Sequence, residues 1–195
     1  MKGYIYVAGR GADPALRNDL NDPIFGEVPT LGACMPNIRR AVEKGDHVFV
    51  VSGKTEGVQQ YVVGGFEVDD KISALAAYER FPQHRIRRGA DGHLLGNIIV
   101  NEDGSRSPLD EHDEDDDQAF ERRIQNYVVG SRPVAMASTQ EVQRSRDETM
   151  GKLAQVLQRP PSNRIIDLLG RWRRLDETQV RELTAWLTGI KATTA

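Results

Sequence analysis

IFGEVPTLGACMPNIRRAVEKGDHVFVVSGK, residues 24–54, is the stretch on which the reading of the fold turns. It opens with a Phe25-Gly26 turn, passes Cys34, and reaches Pro36, a residue suited to the first turn of a helix. Residues 37–44 then carry Ile38, Ala41 and Val42 on one face of a short helix, which Gly45-Asp46 ends. His47 to Val51 is a largely apolar run of strand length, closed by Ser52-Gly53. A turn, a brief helix and a buried strand in so few residues predict an α+β chain.

The flanks extend this pattern. Tyr4 to Val7 reads as a first strand and residues 9–23 as a loop. Residues 61–68 read as a strand whose Gly64-Gly65 pair predicts a bulge or sharp bend. Residues 73–81 read as a helix that stops before Pro82, and 94–100 and 127–136 as two further strands. Five strands with short helices predict a small curled mixed sheet or open barrel. After residue 145 the pattern turns helical. Met150, Leu153, Ala154 and Leu157 share one face, and Pro160-Pro161 interrupts it. Ile165, Leu168, Leu169 and Trp172 follow helical spacing, as do Val180, Leu183, Trp186 or Leu187, and Ile190. Asp176 with Gln179 resembles a capping box. Residues 163–191 are therefore expected to form a helical hairpin. The expected organisation is a domain over 1–145 and a helical extension over 146–195, a surface for a protein partner or for self-association.

Hydrophobic residues make up 38% of the 195 and charged residues 28%, ordinary values for a globular chain. No apolar run reaches the eighteen or so residues a membrane span needs. MKGYIYVAGRG reads as a strand and not as a signal peptide, and a single cysteine cannot form an internal disulfide. These features point to a reducing, cytoplasmic setting without membrane contact. The net charge of −3 hides an asymmetry. Residues 102–117 carry nine acids and one arginine, a sum of −8, which leaves +5 on the rest of the chain. The acidic segment reads as a solvated loop. Magnesium or calcium binding is the sharper alternative, yet the spacing matches no calcium loop. The histidines and cysteine have no zinc spacing, no Walker loop is present, and Gly9-Arg10-Gly11 is too small a signal for a dinucleotide fingerprint. No metal and no cofactor are expected.

Site chemistry concentrates in Thr30–Arg40. Backbone amides at a helix start attract anions, and arginine adds a forked donor matched to phosphate. Arg39 and Arg40 are thus candidates to hold a phosphate, helped by Thr30 and Asn37; a surface helix with two solvated arginines is the alternative. Cys34 is a nucleophile only if its thiolate is stabilised nearby, and otherwise a small buried apolar residue. Arg85, Arg87 and Arg88, with Lys54, form a basic set suited to a nucleic-acid backbone, or else a loop balancing the acidic one. Aromatic residues beside strands, such as Phe25 and Tyr61, have faces on which a base can stack.

Asn21-Asp22-Pro23-Ile24-Phe25-Gly26, then Thr30-Leu31-Gly32-Ala33-Cys34-Met35-Pro36-Asn37-Ile38-Arg39-Arg40, then Gly45-Asp46-His47-Val48, resembles the core of the nucleotide modification associated domain 2 family. Tyr61–Val68 and Gly96-Asn97-Ile98 look like its later strands, so the resemblance covers about residues 1–140. Met35 stands where that family usually has lysine, and His47 where it has an aromatic residue. The resemblance implies a PUA-like fold, akin to the EVE and ASCH groups, and a role with nucleotides or modified DNA, often in phage or bacterial conflict systems. The expected function is recognition of a base or nucleotide, free or in nucleic acid. The expected pocket lies among residues 25–40 and the ends of strands 47–53 and 61–68. There Phe25 or Tyr61 stacks on the base and Ser52 and Asn97 read its polar edges. A base held in a duplex must be flipped out to enter, at a cost of a few kcal/mol. Two other classes stay open: an enzyme with Cys34 as nucleophile or Asp46 as general base, and an adaptor working through residues 163–191.

Overall fold

The computed structural model describes residues 1–16, 21–111 and 117–194. In chain order the strands are β1 (Gly3–Val7), β2 (Thr30–Leu31), β3 (His47–Val51), β4 (Val62–Ile72), β5 (Arg87–Arg88), β6 (Leu94–Leu95), β7 (Tyr127–Ala135) and β8 (Trp172–Leu175). The helices are α1 (Pro36–Ala41), α2 (Ala74–Arg80), α3 (Asp117–Ile124), α4 (Thr139–Val156), α5 (Ile165–Leu169) and α6 (Glu177–Thr194). The chain is α+β, with a six-stranded sheet ordered β2-β7-β4-β3-β1-β8 and a separate β5-β6 pair. The main sheet is mixed, because β1 runs parallel to β3 and antiparallel to β8. It is open, and no strand order closes it into a barrel. No helix is long and apolar enough to cross a membrane among the described residues.

Two compact units emerge. The first takes residues 1–20, 45–67 and 132–195, and the second takes 21–44 and 68–131. The expected boundary at 145 falls inside α4, and residues 146–195 belong to the same unit as β1 and β3.

In the first unit, β1 and β3 pair in register from Gly3↔His47 to Val7↔Val51. Ile5, Val50 and Val51 are fully buried. Against β3, β4 skips Val63 between Val50↔Gly64 and Val51↔Val62, so the bulge lies beside the double glycine. A β-carbon on Gly65 would overlap the Phe49 ring, and one on Gly64 would sit 2.5 Å from Val134 O. Close approach, as much as flexibility, accounts for the pair. The α6 stripe Val180, Leu183, Leu187 and Ile190 is buried, and the Asp176–Gln179 capping box forms in both directions. A β-carbon on Gly3 would meet Val180 Cγ2 at 2.5 Å, so α6 lies against β1. Helix α4 packs on α6 and begins at a capping box of its own, Ser138 with Glu141. The expected hairpin over 163–191 is absent. Gly170, at φ 69°, ends α5 after five residues, and the chain turns into β8, which pairs with β1. Trp172 is 43% exposed on that strand and is not a core residue.

The second unit packs α2 and β7 around Ala74, Ala77, Phe81, Ile98, Val100, Tyr127 and Val129. Ser73 caps α2 by accepting the Ala76 amide. The expected strand over 94–100 is broken. Gly96 adopts φ 93°, and a β-carbon there would press on Arg85 O at 2.5 Å. Only Leu94–Leu95 forms a ladder, with β5. The acidic segment is not one loop: its last residue, Asp117, starts α3. Residues 112–116 lie outside the described residues.

Candidate functional site

In the second unit the Thr30–Arg40 segment forms a dense polar site, but its donors are turned to the chain itself. The Asp22 carboxylate accepts the amides of Gly32 and Ala33 at 2.8 Å each, the amide of Cys34, and Asn97 Nδ2 at 2.9 Å. An internal carboxylate therefore occupies the place at which an external phosphate was expected. Burial pushes the Asp22 carboxyl above the usual carboxylate range, while the Cys34 and Gly32 amides, Arg39 and Asn97 pull the other way. Arg39 is fully buried. Its Nε donates to Cys34 O at 2.8 Å, Nη1 to Gln125 O at 2.7 Å and Asn126 O at 3.3 Å, and Nη2 to Ala33 O at 3.2 Å. Arg40 and Asn37 face solvent. The two arginines do not form a clamp, and this corrects the expected phosphate site: one guanidinium is a structural staple and the other a surface charge.

Thr30 and Asn97 are buried and committed as well. Asn97 Nδ2 reaches Thr30 Oγ1 at 3.1 Å, Tyr127 donates to Asn97 Oδ1 at 2.8 Å, and Thr30 Oγ1 lies 3.2 Å from His84 Nδ1. The network is internally satisfied, so Asn97 has no edge left to read a base. Phe25 is half-buried. Cys34 is not an activated thiol: burial, then the Asp22 charge, pushes it up to about 12, which Arg39 and Arg123 only partly offset. A nucleophilic role needs the opposite shift. Of the basic set, Arg85 lies over the Tyr78 ring at 3.7 Å and donates to Tyr78 O. Arg87 and Arg88 are exposed, and Arg88 lies 3.6 Å from Glu111.

The remaining expected residues belong to the first unit. Asp46 is buried, accepts the Lys2 amide at 3.0 Å and lies 3.5 Å from Lys2 Nζ. These partners suit a structural anion better than a general base. Ser52 is fully buried, with its hydroxyl accepting the Tyr61 amide and its carbonyl accepting Gln60 Nε2. It cannot read a ligand edge. Tyr61 is also fully buried, beneath the Arg146 guanidinium at 4.7 Å, so its ring offers no free face. Burial and the nearby Asp13 charge push its hydroxyl up to about 12.

Lys54 alone of the expected residues lines an open cavity of about 1360 Å³ in this unit. The cavity sits beyond the carboxyl ends of the parallel strands β1 and β3, the usual ligand position in sheets with parallel strands. Arg10 follows β1 and Lys54 follows β3, while Arg164 and Arg171 flank α5. Glu56 is the single acid among the described lining residues, which therefore sum to +3. Arg10, Lys54 and Arg171 are exposed and make no ion pair among the described residues, whereas Arg164 lies 3.9 Å from Asp167. Val7, Val58, Ile165 and Ile166 supply an apolar wall. The Thr55 hydroxyl is shielded from solvent and has no hydrogen-bond partner among the described residues.

Two loops make the inner wall, and they are welded together. Gly53 donates to Ala12 O at 2.7 Å and Gly11 to Lys54 O at 3.1 Å. A β-carbon on Gly53 would overlap Gly9 O. Behind them, Arg146 of α4 donates to Asp13 at 2.8 Å and to Gln59 O at 2.5 Å, tying both loops to one helix. Asp13 is 1% exposed, and its other oxygen accepts the Ala15 amide. Arg10, Arg164, Asp13 and Arg146 escape sequence reasoning because the fold gathers them from distant positions, and Arg171 is visible only as the start of the basic run Arg171-Trp172-Arg173-Arg174. One signal was available: Ala8-Gly9 and Ser52-Gly53 each follow an apolar strand run. Comparison with family models, with curated proteins and with solved structures gave no match, so the site rests on its own geometry.

Proposed function

We propose that this protein binds a phosphorylated, nucleotide-type ligand, and that the cavity beyond β1 and β3 is where it does so. The carrying observation is a set of three exposed cations without an ion pair among the described residues, together with Arg164, around one concavity whose described lining holds a single acid. Uncompensated cations beside an apolar wall suit an anion that also carries a less polar body. The volume of about 1360 Å³ is ample for a nucleotide. The motif resemblance over residues 21–48 supports the same class of ligand, and a PUA-like curl of the mixed sheet belongs to the same proposal. In this reading the motif segment builds a scaffold, and the phosphate contacts come from Arg10, Lys54, Arg164 and Arg171. A role with modified bases or in conflict systems belongs to the same proposal.

The test is equilibrium binding of fluorescent nucleotides and short oligonucleotides across a salt series. Binding is expected to weaken as salt rises. Lys54→Glu with Arg164→Glu is expected to weaken it by at least about tenfold, or 1.4 kcal/mol. Both side chains are exposed, so the fold should persist. Absence of binding up to about 1 mM ligand at low salt, or unchanged affinity in the double variant, overturns the proposal.

A further inference from the structure

We infer that the cavity recognises its ligand by phosphate charge density and is indifferent to the base, so that its ligand class is a free di- or triphosphate. The inference rests on the nucleotide reading above and narrows it. Three observations carry it.

The first is what the wall lacks. Among the described residues no aromatic side chain lines the cavity, and bases are usually gripped by stacking on aromatic faces. Tyr61 is sealed under Arg146.

The second is that the polar side chains able to read a base edge are few and partly committed. Gln60 Nε2 is held by Ser52 O at 2.8 Å, and beside it Thr55, Gln59 and Asn163 are the other neutral polar side chains among the described lining residues.

The third is the origin of the cations. Arg10 and Lys54 stand on the two welded loops, and Arg164 and Arg171 on the separate segment around α5. Four positive charges from opposing segments suit several anionic charges held together, because each added phosphate oxygen gains another partner. A monophosphate leaves part of the set unused.

The experiment is competition against a fluorescent nucleoside triphosphate at about 50 mM salt. Competitors are the mono-, di- and triphosphates of adenosine, the other three nucleoside triphosphates, inorganic pyrophosphate and tripolyphosphate, and an oligonucleotide without a terminal phosphate. Expected is an affinity order of tri- over di- over monophosphate, each step about threefold or more, with the four bases equal within about threefold. Tripolyphosphate should compete within about tenfold of the nucleoside triphosphate. Lys54→Gln should weaken the triphosphate more than the monophosphate. Selectivity for one base beyond about tenfold, failure of tripolyphosphate to compete, or tighter binding of the oligonucleotide overturns this inference while leaving nucleotide binding in place. If no phosphorylated compound binds, the nucleotide reading itself falls and takes the inference with it.

Discussion

Replacing Asp22 by Asn removes one charge and two acceptor lone-pair sites without changing the size of the side chain. Asp22 Oδ1 accepts Gly32 N and Asn97 Nδ2, and Oδ2 accepts the amides of Ala33 and Cys34. With the NH2 group in place of Oδ2 the Ala33 and Cys34 amides lose their acceptor; in place of Oδ1 the Gly32 amide alone is stranded, because Asn97 Nδ2 keeps Thr30 Oγ1 at 3.1 Å. The second orientation is the less costly, and an unsatisfied buried donor costs about 1–3 kcal/mol. Two smaller effects oppose each other. The neutral side chain escapes the burial penalty that raises the Asp22 carboxyl, while buried Arg39 loses its nearby negative charge. We therefore expect a loss of about 1–3 kcal/mol, a sizeable share of the 5–15 kcal/mol that holds a typical domain together. Urea unfolding followed by far-ultraviolet circular dichroism measures it. A second readout is independent of stability. The Asp22 charge helps to hold the Cys34 thiol up, so Asp22→Asn should make Cys34 alkylate faster at a given pH. A stability change under about 0.5 kcal/mol, with Cys34 reactivity unaltered, would refute the assignment of Asp22 as the internal anion of this segment.

Arg146→Met strips Asp13 of its ion-pair partner while Asp13 stays buried, so unfolding stability should fall by about 3–5 kcal/mol; a loss below about 1 kcal/mol on urea titration counts against the tie. Cys34, with its thiol near 12, should react with iodoacetamide at pH 8 about a hundredfold or more slower than a free thiol of pKa about 8.5, and rapid labelling of the folded protein contradicts that environment. The amides of Ala137 and Ser138, with Lys191, hold the Glu141 carboxyl below its usual 4.5, so its contribution is present above that value and lost as pH falls through the lower, folded-state value. Thermal melts between about pH 6 and pH 3 should therefore show a steeper acid loss in the parent than in Glu141→Gln, and identical slopes would remove Glu141 from the acid response.

Much of the fold is legible in the residues. Strands β1 and β3 are apolar runs bounded by glycine, β4 carries its glycine pair within, and a bulge at Val63 lies beside that pair. The α6 stripe and its Asp176–Gln179 cap were readable because spacing and capping agree. Strand β8 was not, since Ile165 to Trp172 mimics helical spacing while Gly170 and pairing with β1 decide the outcome. The start of α4 carried the signal Ser138-x-x-Glu141, which the expected boundary at 145 passed over. For the site, the sequence shows where donors concentrate but not which acceptor fills them. Asp22 stands 11 residues before Ala33 and supplies the anion from within. The cavity cations at positions 10, 54, 164 and 171 share no local pattern, and only the parallel pairing of β1 with β3 makes neighbours of two of them.

The union of the Gly9 and Gly53 turns also bears on how this molecule can change over evolutionary time. No larger residue fits at Gly53, so the inner wall is closed to variation. The cations at the mouth are solvent-facing, and among the described residues only Arg164 has an ion-pair partner, the exposed Asp167; substitutions at such positions shift stability by about 0.5 kcal/mol or less. Affinity for anions can therefore drift, sharpen or reverse sign through the mouth alone, leaving the folded framework untouched.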